Sequence, residues 1–276
     1  MIKKRKLRKK GYIILVCLAM LGSGLIPQRG IAGEEVAEKG RIIKIENPGF
    51  EIDEDGDNLP DGWFMAGAGV GIDRATFHSG KQSVKILVPS DAPYGDLRYR
   101  NIPVKPYTFY TLTVWHKTLE RWRGGGTVFF IEYDEKGKPL PNPYFDVPVS
   151  SEWSKSSWTW TTMAATVKAE IILRNFPGQA ASWWDDVSLV EGDSIGDLMD
   201  KARKEVKEIE KTNPGNEKIQ AKCKEVYGNI EQIEQLLKAQ STMRIEELKE
   251  SQKTLDDLLK QHKELKNELE SLLILE

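Results

Sequence analysis

The sequence predicts a mainly β protein, an antiparallel sandwich followed by an all-α segment. The composition changes near residue 192. All eight Trp lie before that point, whereas residues 193–276 hold no Trp or Phe and a single Tyr. Short runs before it alternate apolar and polar residues, and Leu and Ile recur every three or four residues after it. A period of two is typical of half-buried strands, and a period near 3.6 is typical of helices.

Residues 1–33 resemble a secretory signal peptide. A basic run at 3–10 precedes an apolar run at 12–26, and small residues follow at 31–33. The apolar run is shorter than the roughly 20 residues of a transmembrane helix, and Gly and Ser interrupt it. We therefore expect cleavage near residue 33 and a secreted or extracytoplasmic protein with no stable membrane anchor, the alternative being an uncleaved anchor.

Net charge and cysteine content exclude some classes of partner and of structural site. Removing residues 1–33 removes eight Lys or Arg and no acid, which leaves 32 basic against 42 acidic residues and a net charge of −10. Because phosphate contacts supply most nucleic-acid affinity, we expect no nucleic-acid partner. Cys223 is then the only cysteine, so an internal disulfide and a cysteine zinc site are both excluded.

Six strands are predicted in the first region, about 41–192. They lie at 82–88, 109–117, 127–134, 156–163, 169–176 and 182–190. In the second of them Tyr110, Leu112 and Val114 alternate with Thr111, Thr113 and Trp115. Helical periods do not interrupt these runs, so a βαβ fold is not expected.

The second region, 193–276, is predicted to be a helical spacer or an oligomerisation segment. The helical pattern breaks at Asn213–Asn216 and then resumes. Leu248, Leu255, His262 and Leu269 recur every seven residues, as in the seam of a coiled coil. This pattern fits an antiparallel hairpin, a three-helix bundle or a self-associating coil, the last of which would make a homo-oligomer.

An acidic stretch lies between Asn47 and Trp63. Asp53, Asp55, Asp57 and Asp61 occupy alternate positions, which is how calcium loops place oxygen ligands around a hard cation. The twelfth position holds Phe64 rather than Glu, so the stretch is not an EF-hand. A calcium-filled turn and a merely solvated acidic turn remain as alternatives.

A set of motifs in order resembles the carbohydrate-binding modules of families 4, 9 and 22. The motifs are "NPGFE", "LPDGW", "HSGKQSVKI" at 78–86 and "WWDDVSLVEG" at 183–192. The resemblance covers residues 42–192 and implies a galactose-binding-like jelly roll. It also implies one structural calcium where the first and last strands meet, with ligands from Glu51, from Asp185 or Asp186, and from a backbone carbonyl near Lys81. Alternation of the last strand would turn Asp185 inward beside Val187 and Leu189, which favours it over Asp186.

Sugar binding needs flat apolar faces together with amides, carboxylates or Arg. The residues that we select for this role are Trp115, Trp122, Arg121, Tyr133, Arg174 and Asn175. The sequence thus predicts an exported, non-catalytic polysaccharide-binding protein with structural calcium. One alternative is an assembly protein that acts through its coil. Another is a glycoside hydrolase or lyase that uses Glu132 or Glu170, or an accessory part of a glycoside hydrolase.

Overall fold

A computed structural model describes residues 40–118, 126–141 and 144–274. It contains two antiparallel sheets and three helices. The six-stranded sheet has the order β3-β4-β11-β6-β9, with β1 paired to β11, and the five-stranded sheet has the order β2-β5-β10-β7-β8. The predicted jelly-roll-like sandwich is therefore confirmed.

The strands of the six-stranded sheet are β1 (Arg41–Ile43), β3 (Val70–Asp73), β4 (Ser83–Ile86), β6 (Thr108–Thr118), β9 (Ser150–Thr161) and β11 (Ser182–Ser194). Those of the five-stranded sheet are β2 (Phe64–Gly67), β5 (Gly95–Pro103), β7 (Gly126–Tyr133), β8 (Tyr144–Val147) and β10 (Lys168–Asn175). Each of the six predicted strands is present. The nine-residue strand β5 was not predicted, and it matters most for the site described below.

The core lies between the two sheets and follows the predicted alternation. Tyr110, Leu112 and Val114 of β6 are fully buried in it, and Trp115 points to the outer face of the six-stranded sheet. Strand β1 pairs with β11, so the first and last strands of the sandwich are neighbours. The ends of the domain are thereby joined by main-chain hydrogen bonds without a disulfide.

Three helices follow: α1 (Ile195–Thr212), α2 (Glu217–Gln240) and α3 (Ile245–Ile274). Helix α1 begins directly at the end of β11, because Ser194 accepts a hydrogen bond from the Asp197 amide and forms a capping box with that residue. Asn216 caps α2 in the same way, with bonds from Lys218 and Ile219. Side-chain caps of this kind satisfy backbone amides that have no partner inside the helix.

The helices pack on one another and on the sandwich within a single chain. Leu255 and Leu269 of the α3 seam are buried in one cluster with α1, α2 and Phe109 of β6. Leu248 packs on Leu140 and Met163 at the end of the sandwich. The helical segment therefore packs on the sandwich, and a role as a spacer stays a prediction. A coiled coil between chains is not confirmed, and assembly through 193–276 stays a prediction.

Among the described residues, no helix has the length and apolar character needed to cross a membrane.

Candidate functional site

Two rows of side chains cross the outer face of the five-stranded sheet. Directly opposite residues on paired strands share a face, so the registers place Phe64, Arg98, Ile172, Phe129 and Tyr144 in one row. The next row contains Ala66, Asp96, Arg174, Thr127 and Asp146. Each row takes one residue from each of the five strands. We call the whole outer face of this sheet, which the two rows cross, the five-strand face.

Asp96 is the buried centre of this face. Its carboxylate is fully buried and accepts two hydrogen bonds from Arg174, Nε to Oδ1 at 2.6 Å and Nη2 to Oδ2 at 2.8 Å. Arg98 donates to Oδ2 from Nε at 3.0 Å and from Nη2 at 2.6 Å. The hydrogen bonds to Asp96 hold the pKa of Arg174 above its ordinary value. Both guanidinium groups are consequently fixed in position before any ligand arrives.

Glu170 organises a second polar centre on the same face. Its carboxylate accepts from Arg100 Nε at 3.2 Å and from the Tyr133 hydroxyl at 2.7 Å. Arg98 Nη1 lies 3.5 Å from the same carboxylate, so Arg98 links the two acids. Burial raises the pKa of Tyr133 to about 12, and the hydrogen bond to Glu170 acts in the same direction. Tyr133 therefore remains a neutral hydroxyl whose ring borders the face.

Aromatic rings flank these charged groups. Phe64 is 51% exposed and Tyr144 is 58% exposed, at opposite edges of the sheet. The Arg100 guanidinium lies 5.4 Å from the Phe64 ring centroid, and Arg174 lies 4.5 Å from Tyr94 and 4.8 Å from Phe129. A shallow cavity of about 230 Å³ opens beside Tyr133, Arg98, Arg100 and Glu170. The arrangement offers flat apolar surfaces next to oriented hydrogen-bond donors.

The structure separates the ligand residues that the sequence selected. Tyr133 and Arg174 lie on the five-strand face. Trp115 lies on the outer face of the other sheet and stacks on His78, with ring centroids 3.7 Å apart. Asn175 is fully buried and donates to the carbonyls of Ile86 and Ala180, so its side chain cannot reach a surface ligand. Arg121 and Trp122 lie outside the described residues.

A group of acids lies where β11 leaves its regular pairing, beside the turn Asn47–Gly49. One ligand atom each from His78, Asp185 and Asp186 lies within 4.8 Å of the others. The pairing of β11 with β6 shifts after Asp185, and Asp186 has a φ of 45°. Because of this bulge Asp185 is opposite Trp115 on the outer face, not beside Val187 in the core. The predicted inward direction of Asp185 was therefore wrong, although the carboxylate is fully buried.

Main-chain amides surround the buried Asp185 carboxylate. It accepts from the amides of His78 at 2.9 Å, Ser79 at 3.1 Å and Asp186 at 2.8 Å. Burial raises the pKa of Asp185 to about 6 despite these bonds. Asp186 in turn contacts the His78 ring nitrogen Nδ1 at 2.6 Å and accepts from Ser79 Oγ at 2.9 Å.

Glu51 lies next to this group. A Cβ on Gly49 would lie 3.3 Å from Asp186, 3.9 Å from Asp185 and 3.9 Å from Glu51, so all three surround one small residue. Gly80 has a φ of 65°, and a side chain there would overlap the Glu51 carboxylate. The Lys81 amide donates to the Glu51 carboxylate, at 3.0 and 3.1 Å. The carboxylate oxygens of Glu51, Asp185 and Asp186 suit a hard cation, and a ligand role for a backbone carbonyl near Lys81 stays a prediction.

Three of the four alternate acids in the acidic stretch lie close together, and the fourth does not belong to the set. Asp53, Asp55 and Asp61 each place one carboxylate oxygen within 4.8 Å of the other two. Asp57 does not belong to that set, and its carboxylate accepts a hydrogen bond from the Leu59 amide at 2.8 Å.

Glu132 cannot act on a surface ligand. It faces the core and accepts from the Met163 amide and from the Thr166 hydroxyl. Burial raises its pKa to about 7. Its position fixes the turn at 163–166 and gives no support to the hydrolase alternative for this residue.

Sequence reasoning missed Asp96, Arg98 and Arg100 because β5 was not predicted. The signal was present in "DLRYR" at 96–100, where three charged residues alternate with Leu97 and Tyr99. Charged residues lowered the apparent strand character of the run, yet they are the groups that line the face.

A larger cavity, of about 730 Å³, lies beside the edge strand β3 and is lined by Val70, Ile72, Asp73, Lys85 and Leu87 among others. It is an open depression whose lining mixes glycine and aliphatic residues with the charged residues Asp73, Arg74 and Lys85. We regard the five-strand face as the better candidate, because buried charged groups there are held in a fixed arrangement.

No protein-family model and no curated protein matches the sequence. Solved structures similar to the chain include carbohydrate-binding modules. The CBM22-1 xylan-binding domain of Paenibacillus barcinonensis Xyn10C has 15% identity and a TM-score of 0.42 over 58% of this chain and 99% of that one. A family 16 carbohydrate-binding module has 17% identity and a TM-score of 0.40 over 51% and 99%. The enzymatically active domain of tailspike protein 4 of bacteriophage CBA120 has 15% identity and a TM-score of 0.43, over 54% of this chain and 21% of that one.

Proposed function

We propose that the protein is an exported, non-catalytic polysaccharide-binding protein, and that the five-strand face is its binding surface. The observation that carries this proposal is the pair of side-chain rows that span all five strands. The length of such a surface suits an extended polymer better than a small molecule.

The chemistry of the face supports a sugar ligand. Exposed rings such as Phe64 and Tyr144 offer planes for the C–H faces of pyranose rings. Arg98 and Arg100 present further N–H donors to hydroxyl oxygens, while Asp96 and Glu170 hold them in place. Such pre-ordering lowers the entropy lost on binding.

We propose a structural role for calcium at the carboxylates of Glu51, Asp185 and Asp186, since calcium prefers oxygen ligands. The carboxylates converge beside the pairing of β1 with β11, and the Asp185 carboxylate is buried with amide donors as partners and no cationic side chain among them. An ion there would neutralise this charge and stabilise the folded state by mass action. It would take no part in sugar contact, because the group lies on the opposite sheet.

The test is binding of the full chain to a glycan array and to insoluble polysaccharides. We expect saturable binding to one polymer class. Arg100→Ala and Phe64→Ala should each weaken it by about tenfold or more, since each loss removes a contact worth at least 1.4 kcal/mol. Trp115→Ala, on the other sheet, and Phe77→Ala, an exposed ring outside the face, are the matched controls.

The outcomes separate the alternatives. Loss of binding in Trp115→Ala with full binding in Arg100→Ala would move the site to the six-stranded sheet. No binding to any glycan by a folded protein would overturn the function. A chelator that lowers the melting temperature but leaves the ligand preference unchanged would support calcium as a structural ion.

A further inference from the structure

We infer that Asp53, Asp55 and Asp61 bind a second divalent cation, of the size and charge of calcium, in the loop between Phe50 and Trp63. The inference concerns the stability of the loop and is independent of sugar binding. It also differs from the group around Asp185, since none of its three residues belongs to that group.

The first observation is the convergence of three acids. One carboxylate oxygen of each residue lies within 4.8 Å of one oxygen of each of the other two. Two oxygens bound to one calcium at about 2.4 Å lie at most about 4.8 Å apart. The separations are therefore compatible with one shared ion.

The second observation is an oxygen with no partner. The Asp53 side chain is only 6% exposed, and its Oδ1 is buried with no hydrogen-bond partner among the described residues. Its other oxygen, Oδ2, lies 3.2 Å from Arg74 Nη2, on a side chain that is 59% exposed. A buried charged oxygen without a donor is costly unless a cation approaches it.

The local charge is also unbalanced. Residues 53–61 contain five carboxylates and no Lys or Arg. Among the described residues, the ion pair between Asp53 and Arg74 is the only one made to these five acids. Each further acid raises the repulsion within the loop, which a divalent ion would offset.

The loop is already shaped around this position. Both carboxylate oxygens of Asp61 accept a hydrogen bond from the Glu54 amide, at 3.3 Å each. The Asp61 amide donates to the Ile52 carbonyl at 2.9 Å. The Asn47 side chain bridges the carbonyls of Ile52 and Asp61. The two ends of the loop are thus tied together, and the acids are held near one another without the ion.

The test is a calorimetric titration of the chelator-treated full chain with calcium alone. We expect Asp53→Asn to remove one calcium equivalent or to weaken one binding event by at least tenfold. Asp57→Asn is the matched control, because it removes a carboxylate of the same loop that lies outside the set, and it should leave every event unchanged. Glu51→Gln should spare this event, which separates it from any ion near Asp185.

Asp55→Asn provides a second variant should Asp53→Asn fail to fold, since Asp55 is exposed. It should also weaken the event by about tenfold. No calcium binding by the wild-type chain would overturn the inference. Unchanged affinity and stoichiometry in the folded Asp53→Asn or Asp55→Asn variant would overturn it as well.

Discussion

Arg174 and Asp96 are cross-strand partners in β10 and β5, and their side chains form a two-bond ion pair at 2.6 and 2.8 Å. Asp96 is fully buried and the Arg174 side chain is 20% exposed. The pair links the central strand of the five-stranded sheet to its neighbour, and it orients the guanidinium between Tyr94 and Phe129. The arrangement of the five-strand face depends on this pair.

Arg174→Met should lower the free energy of unfolding by about 2 kcal/mol, because it leaves the buried Asp96 carboxylate with Arg98 as its remaining cationic partner. Arg100→Met is the control. Its side chain is 46% exposed, so we expect a loss below about 1 kcal/mol. Urea denaturation followed by Trp fluorescence measures both, and equal losses would contradict the ranking.

Glu132→Gln should change how stability depends on pH. The pKa of Glu132 is raised to about 7 in the folded protein, so the folded state holds the proton more tightly than the unfolded chain. Stability from this group is present at low pH and is lost as the pH rises from about 4.5 to about 7.

The difference curve between wild type and Glu132→Gln tests this sign. The stability of the variant relative to wild type should grow by up to about 3 kcal/mol across that window. Urea denaturation at several pH values gives the curve. Glu135→Gln, at an exposed position, should give a flat difference, and a flat difference for Glu132→Gln would show that burial of the charge is not costly.

The contribution of His262 to stability should have the opposite pH dependence. The side chain is buried in the helical segment against Asn229, with Nδ1 at 2.9 Å from Asn229 Oδ1. Burial lowers its pKa to about 4, with nearby Lys266 acting in the same direction and Glu205 against it. The unfolded chain therefore binds the proton more tightly, and stability is lost as the pH falls from about 6.5 to about 4.

His262→Gln, which stays neutral, should remove that loss. Far-UV circular dichroism of wild type and variant during denaturation at pH 4.5 and 7 measures it. The variant should gain stability relative to wild type at the lower pH. An equal difference at both values would mean that the imidazole does not titrate in this range.

Phe109→Ala should destabilise the helices and the sandwich together. Phe109 belongs to β6 yet is buried in the helical cluster, and the Tyr107 hydroxyl beside it donates to the Leu237 carbonyl at 3.0 Å. Truncation of a buried Phe costs about 3 kcal/mol or more.

Two signals separate the units in this experiment. All eight Trp lie before residue 192, so fluorescence reports the sandwich, and circular dichroism at 222 nm is dominated by the helices. Both midpoints should fall together. A fall in the helical signal alone would show independent units, and Phe77→Ala, at a ring that is 41% exposed, should move neither.

Short-range pattern was sufficient for much of the fold. Tyr110, Leu112 and Val114 are buried as their alternation predicts, because the pleat of a strand sends successive side chains to opposite faces whatever the partner strand is. The helices follow their apolar period of three or four residues, because the turn of a helix also depends on neighbouring residues alone. Strand β5 was missed because Asp96, Arg98 and Arg100 reduce the local strand signal, and only pairing with β10 on one side and β2 on the other compensates for them.

The candidate sites depended on tertiary structure to different degrees. Asp53, Asp55 and Asp61 lie in one short loop, so their closeness was predictable from spacing, whereas the exclusion of Asp57 from the set was not. The direction of Asp185 was not, because the bulge at Asp186 arises where β11 changes its pairing. Trp115 and Arg174 were both selected as ligand residues, and only the pairing of the strands shows that they lie on different sheets.

The sequence by itself determined the two regions, most of their strands and helices, and the acidic loop, since each depends on residues close together in the chain. The tertiary structure decided which face carries Asp96 and Glu170 with their arginine partners. It also decided that the apolar seam of α3 packs on α2 and the sandwich. Both outcomes depend on contacts between residues far apart in the chain, and the burial that fixes them does not exist until those segments meet.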